Sequence, residues 1–306
     1  MKKNTVVCDP ATGMCEIAPR SEEKQQVKPL IKASGEKPIR IVYYTDPICS
    51  ACWAIEGILH RLQLEYGHLF SLDMHMGGLM PSFEDADGKQ ALEMARMWDQ
   101  AGQKYEVPVN GSVWLKNPLQ SSFPPSIACK AAELQGVELS DALLRRLREM
   151  LFVEGKDISD DKVIEEAVKQ LGLDEERWKS DYTFKGQALF DKDIELGISL
   201  GVWGFPTLYF FDAEGNQEDL FGVYPYAKYE QLILDRVPKA KKKSYDSTPI
   251  ALMEKFKSLT VKELMILADS SYEEALQALN DLGEQETIEV LESPNGNVWR
   301  MKQQIK

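Results

Sequence analysis

The chain has 306 residues, a length that fits about two domains, and its 43% apolar content is enough to fill their cores. Acidic residues outnumber basic ones by 49 to 36, a net charge of −13. That balance excludes a molecule whose surface as a whole binds nucleic acid or an anionic membrane. No stretch approaches the roughly 18 consecutive apolar residues of a membrane span. The start, Met1-Lys2-Lys3-Asn4 followed by Thr5-Val6-Val7-Cys8-Asp9-Pro10, is too short and polar for a signal-peptide core. The expected location is therefore the cytoplasm, where the five cysteines face a reducing pool and any disulfide is transient rather than structural.

Residues 1–36 read as a flexible arm, polar through Arg20-Ser21-Glu22-Glu23-Lys24-Gln25-Gln26 and without an apolar period. The arm carries Cys8 and Cys15, whose spacing matches no established zinc pattern. Four states are compatible with them: a reduced tail, an internal disulfide, exchange with Cys49, or a metal shared with another chain. From Ile39 the pattern turns globular. Ile41-Val42-Tyr43-Tyr44 is β-branched and aromatic, Asp46-Pro47 punctuates it, and Trp53-Ala54-Ile55 with Ile58-Leu59 and Leu62 has helical spacing. Residues 69–76 alternate like a strand that Gly77-Gly78 ends, giving a β-α-β start.

A helical region follows over about 78–200, with helices predicted at 92–105, 126–135, 140–152 and 160–171, and one or two more within 174–200. Ser140 and Ser159 suit helix N-caps, and Gly136 and Gly172 suit helix ends. Strands return with Thr207-Leu208-Tyr209-Phe210-Phe211, the turn 212–216 and Leu220-Phe221-Gly222-Val223, and a helix at 226–237 closes a main domain of 37–238. The basic stretch 239–249 reads as a charged linker. Residues 250–306 then form a module with helices at 252–256, 261–267 and 272–282 and a hairpin of 288–291 with 298–301, the winged-helix order. Its ten acidic residues outnumber six basic ones, which argues for protein contact and against DNA phosphates.

The chemistry concentrates in Cys49-Ser50-Ala51-Cys52, where the strand turns into a helix. Two thiols at that spacing form a redox couple or half of a metal site. His60, His68 and His75 are too widely spaced for a metal motif and no third thiol is near in sequence, so no metal or cofactor is expected. Free N–H groups and the helix dipole favour an anion at the helix start, which predicts a depressed pKa at Cys49 and a nucleophilic thiolate. Cys52, one turn in, is the thiol that resolves a mixed disulfide. Glu56 shares the face of Cys49 and Cys52 and is either a proton acceptor for Cys52 or a salt-bridged glutamate. Trp53 packs and shields the thiols, Thr45 and Asp46 orient the loop, and Cys129 among small apolar neighbours reads as a buried hydrophobe. Far downstream, Phe205-Pro206-Thr207 places a proline just before a central strand. In the cis form it turns the backbone of Phe205 toward the site, where its N–H and C=O can pair with an extended substrate.

Together DPICSACW, the helical insert and GVWGFPTLYFF resemble the thioredoxin-like superfamily, and within it the DsbA-like branch, over about 38–237. The resemblance implies an α/β thioredoxin-like fold with a large helical insertion, plus the small α+β winged-helix-like module. It makes Cys49 the nucleophile, Cys52 the resolving thiol and Pro206 the proline beside them, with the backbone of Phe205 meeting the substrate; Thr207 and Trp53 are further expected substrate contacts. The segments Gly111-Ser112-Val113-Trp114 and Lys130-Ala131-Ala132-Glu133-Leu134-Gln135-Gly136, with the carboxy-terminal module, are similar to the SpxH/YjbH type of Gram-positive protease adaptor. That type is cytoplasmic, DsbA-like, and presents the redox regulator Spx to the ClpXP protease. An arm with Cys8 and Cys15 and no histidine departs from some of its members. The expected activity is protein thiol-disulfide exchange on dithiol or disulfide substrates, with the adaptor as alternative. The expected partners are protein substrates or a regulator or protease component, not nucleic acid or membrane.

Overall fold

A computed structural model describes residues 6–9, 14–17, 31–33, 35, 37–85 and 88–302. The sequence reading places no element before Ile39, yet two short strands lie there, β1 (Val6–Asp9) and β2 (Met14–Ile17). They form an antiparallel hairpin in which Cys8 stands opposite Cys15.

The main domain is built on β3 (Ile39–Thr45), which leads through α1 (Ser50–Ala54) and α2 (Glu56–Tyr66) to β4 (Phe70–Met76), parallel to β3. The helical insert follows: α3 (Lys89–Tyr105), α4 (Val113–Lys116), α5 (Phe123–Glu133), α6 (Val137–Phe152), α7 (Asp161–Gln170) and α8 (Glu175–Asp181). A π-helical turn, Tyr182–Gly186, then joins α8 to α9 (Gln187–Leu200). After it come β5 (Gly204–Phe205), β6 (Thr207–Phe211), β7 (Gln217–Phe221) and α10 (Tyr226–Arg236). The sheet order is β4-β3-β6-β7, with β6 antiparallel to β3 and Thr207 opposite Tyr44.

Both faces of this sheet are covered, so β3 and β6 read as nearly unbroken apolar runs rather than alternating ones. Ile39, Ile41, Tyr43, Leu208 and Phe210 pack with Ile58, Leu62, Tyr229 and Leu232 from α2 and α10. Val42, Tyr44, Tyr209 and Phe211 turn the other way, into a core shared with the insert. Burying each such side chain stabilises the fold by roughly 1.5–3 kcal/mol, so the sheet is held from two sides.

Some helix starts differ from the sequence reading. Asp160, not Ser159, caps α7 by accepting from the Lys162 N–H at 2.9 Å. Helix α6 begins ahead of Ser140, whose buried hydroxyl donates instead to the Cys129 carbonyl at 2.9 Å and ties α6 to α5. The basic linker lies along the main domain, with Lys242 paired to Glu65 at 3.1 Å and Glu230 at 2.7 Å, and the Lys243 N–H donating to the Glu65 carbonyl. Among the described residues no helix is long and apolar enough to cross a membrane.

The carboxy-terminal module contains α11 (Pro249–Phe256), β8 (Ser258–Leu259), α12 (Val261–Ala268), α13 (Tyr272–Gly283), β9 (Ile288–Ser293) and β10 (Gly296–Met301). Its strands form a sheet in the order β8-β10-β9, one short strand more than the expected hairpin. Two capping boxes, Thr260 with Glu263 and Ser271 with Glu274, explain where α12 and α13 start. Helix α12 approaches α2 at Gly57, where an added Cβ would stand 3.2 Å from the Glu263 Cα. Gly57→Val should therefore wedge the module away and cost about 1–3 kcal/mol in urea unfolding. Trypsin cleavage in the lysine-rich linker should speed up in the same variant; an unchanged cleavage rate would show that this contact does not hold the module.

Candidate functional site

Cys49 is the N-cap of α1, in an extended conformation, and its Sγ accepts from the Cys52 N–H at 3.2 Å. The loop before it is fixed by Asp46, which is fully buried. One Asp46 oxygen accepts from the Ile48 N–H at 3.1 Å; the other accepts from the Leu79 N–H at 2.7 Å and the Ser122 hydroxyl at 3.0 Å. Burial pushes the Asp46 carboxyl up to about 6 although these donors pull the other way. The expected orienting part of Asp46 thus has a geometry. It braces the thiol loop against the start of the insert.

Both thiols are enclosed, Cys49 at 5% and Cys52 at 0% exposure. The depressed pKa expected at Cys49 is not what the site produces. Burial, followed by the hydrogen bond and charge of Cys52, pushes Cys49 up, outweighing the N-cap bond. Burial also opposes ionisation of Cys52, but the hydrogen bond with Cys49, the Arg148 guanidinium and the Thr45 hydroxyl overcome it and lower that thiol. The pair holds its first negative charge on the inner sulfur.

Arg148, from α6, is the residue that sequence reasoning missed. It is 1% exposed and donates from Nη2 to the Thr45 hydroxyl at 2.7 Å and the Asp46 carbonyl at 3.0 Å, while Nη1 pairs with Glu56. A signal was present, because Arg148 falls four residues after Leu144 and three before Leu151 on the buried stripe of that helix. Glu56 uses its other oxygen for Arg145 at 2.6 Å. Burial alone would raise the Glu56 carboxyl, but Arg148 and then Arg145 hold it below the usual range. Both oxygens are thus engaged by guanidinium groups, which leaves a poor proton acceptor for Cys52 and a good counterion for Arg148. Arg145 continues the network into the module, reaching Glu263 through Nη1 at 2.6 Å and Nη2 at 3.0 Å.

The distant proline arrives at the same end of the sheet. The Phe205–Pro206 peptide is cis, the Pro206 carbonyl accepts from the Gly222 N–H at 2.9 Å, and the Thr207 hydroxyl donates to the Gly204 carbonyl at 2.8 Å. Thr207 stands opposite Tyr44, so Pro206 lies level with Thr45, the last residue of β3. The ring of Phe205 is buried against Gly77, where even a Cβ would collide with it. Its backbone pairs with β2 of the chain's own arm, with Cys15 opposite Phe205. Trp53, expected to meet substrate, is buried, stacked on Phe152 at 5.1 Å and covered by Arg145 at 5.4 Å. Trp203, three residues before Pro206, is 46% exposed and packed on Phe221 at 4.0 Å, and Tyr224 is 41% exposed.

The remaining candidates do not join the site. His60 stacks on Phe256 and His75 pairs with Asp193 at 2.7 Å, and among the described residues no three His, Cys, Asp or Glu side chains group to hold a metal ion. Cys129 is fully buried, and burial raises its thiol far above the ordinary value.

A thioredoxin family model matches residues 43–231. The "ClpXP adapter protein SpxH" of Halalkalibacterium halodurans is 29% identical, over 97% of this chain and 98% of its own length. The protein of that name from Bacillus subtilis is 28% identical, over 87% of this chain and 90% of its own. Two solved structures share the fold. A putative protein disulfide isomerase from Nitrosomonas europaea superposes with a TM-score of 0.57 at 17% identity, covering 67% of this chain and 99% of its own. The cytosolic disulfide reductase DsbM from Pseudomonas aeruginosa gives 0.50 at 22%, covering 65% and 98%.

Because the Arg148 charge lowers both thiols, its removal must raise them. Arg148→Gln should move the thiolate titration, followed by ultraviolet absorbance, to higher pH, and should destabilise the fold by about 3–5 kcal/mol through the broken buried pair. A titration curve that stays in place would show that Arg148 does not set the thiolate.

Proposed function

The chain belongs to the thioredoxin family, and from that premise we propose that it is a cytoplasmic adaptor that binds a redox regulator such as Spx and presents it to the ClpXP protease. The observation that carries this reading is how far each kind of relative extends. Proteins named as ClpXP adapters match nearly the whole chain, whereas the structures named for disulfide chemistry leave a third of it unmatched at almost their full length. The carboxy-terminal module lies outside the stretch that the family model matches, and it is bound to α6 through Arg145 and Glu263. An added module locked onto the thioredoxin scaffold suits a protein that must hold two partners. The exposed Trp203 and Tyr224 and the net acidic charge offer partner contacts. This order reverses the one drawn from sequence, where exchange chemistry stands first and the adaptor second.

One observation favours the second reading, protein thiol-disulfide exchange. The Cys49 sulfur caps a helix, with a charge-stabilised Cys52 beneath it and a cis-proline level with the loop. In that reading Cys49 attacks a disulfide and Cys52 resolves the mixed intermediate, while Phe205, Pro206 and Thr207 form the edge on which an extended substrate lies.

Purified ClpXP and Spx, incubated with and without the full chain, separate the readings. The adaptor reading expects Spx to disappear several-fold faster with the chain present, and the Cys49→Ser, Cys52→Ser double variant to retain that effect. No acceleration by the wild-type chain would remove it. The exchange reading expects the chain to speed reduction of insulin by dithiothreitol and Cys49→Ser to abolish the gain; equal rates for the two proteins would remove exchange.

A further inference from the structure

We propose that Cys8 and Cys15 form a second dithiol couple, an internal substrate that exchanges its disulfide with Cys49 and Cys52. The proposal rests on the exchange reading of the CSAC site. In the hairpin of β1 and β2, Cys8 and Cys15 are direct cross-strand partners. Opposed Cα atoms in an antiparallel ladder stand about 4.5 or 5.5 Å apart, within the roughly 4.4–6.8 Å that a disulfide spans. The Cα spacing of such a pair thus falls within the range that a disulfide bridges.

A second ladder brings that pair to the site. β2 adds antiparallel to β5 with Cys15 opposite Phe205 and Glu16 opposite Gly204. Phe205 precedes the cis-proline, and the next residue, Thr207, stands opposite Tyr44, one residue before β3 ends at Thr45. Cys49 follows four residues later as the cap of α1. Strand addition of this kind is how an extended peptide docks on a sheet edge. Here the added strand belongs to the chain itself, and of its eight hairpin strand residues two are cysteines, set opposite each other, one of them opposite Phe205. Intramolecular presentation also raises the effective concentration of this sulfur far above that of a free substrate.

The exchange balances within the chain. Cys49 passes its proton to the Cys52 thiolate as its sulfur attacks the Cys15 sulfur of a Cys8–Cys15 disulfide; that bond breaks, and Cys8 leaves as a thiolate that takes the proton up from Cys52. Cys52, as thiolate, then attacks the Cys49 sulfur of the mixed disulfide and releases Cys15. Two electrons pass from the CSAC pair to the arm pair. The starting disulfide comes from a low-molecular-weight disulfide such as oxidised glutathione, which is reduced to two thiols.

The test uses full-length Cys52→Ala, reduced, desalted and treated with oxidised glutathione, followed by non-reducing peptide mapping of the monomer. A Cys15–Cys49 linked peptide is expected, and it should be lost in Cys15→Ser, Cys52→Ala. If Cys49 of that double variant takes up glutathione but Cys52→Ala forms no link to Cys15, the proposal is overturned while exchange chemistry stands. If Cys49 takes up nothing, both fall. The wild-type chain supplies a reading without substitution of the thiol pair: oxidation of Cys49 and Cys52 during the glutathione treatment should slow several-fold in Cys15→Ser. An unchanged rate overturns the proposal.

Discussion

One buried guanidinium organises the molecule. Arg148 sits where the end of β3, the thiol loop and the start of α2 meet, and all its described partners come from those three pieces. Removing such a charge from water costs several kcal/mol unless it is paired and its hydrogen bonds are met. Thr45 and Asp46 supply oxygen atoms, but only a carboxylate supplies charge, and Glu56 does so from the first turn of α2. Glu56 in turn is buried with two oxygens to satisfy, and Arg145, one helical turn from Arg148, takes the second. Arg145 in turn takes Glu149 of its own helix through Nε at 3.1 Å and Glu263 of the module through Nη1 at 2.6 Å. Each buried charge requires the next, and the chain of requirements ends in a separate structural unit.

That sequence of pairs explains why the module sits where it does. Gly57 lets α12 come close enough for Glu263 to reach Arg145. Glu263 also completes the capping box that starts α12, so the same carboxylate sets a helix boundary and closes the network. At the other end, the Arg148 charge faces two sulfurs and favours the anion on the inner one. Forming a Cys49–Cys52 disulfide removes that anion and leaves Glu56 as the anionic partner of Arg148. The thiols and the module are thus two ends of one electrostatic assembly.

Local features of this arrangement are legible in the sequence because they depend on neighbours along the chain. The β-α-β start, the CSAC pair at a helix start, the proline before a central strand and the helix-helix-helix-hairpin order of the module all follow from period and punctuation. What escapes depends on distant partners. Arg148 lies on an apolar stripe, but nothing in its neighbourhood names Thr45 or Glu56. Glu56 follows the cysteines at helical spacing, but the helix breaks at Ile55, Glu56 opens α2, and its role is fixed by arginines from another helix. The helix start at Cys49 is readable while the burial that raises its thiol is not. The arm strands are four residues each without apolar alternation, and β2 gains a second partner only from β5, nearly the length of the main domain away.

Linked through Arg145, Glu56 and Glu263, the CSAC helix and the carboxy-terminal module are expected to open as one unit. Native-state hydrogen exchange of the full chain, wild type against Arg145→Met, measures this directly. The expected result is that amides of α1 and of β9 and β10 exchange with similar opening free energies and lose protection together in the variant. Loss of protection in the module alone, with α1 unchanged, would contradict it.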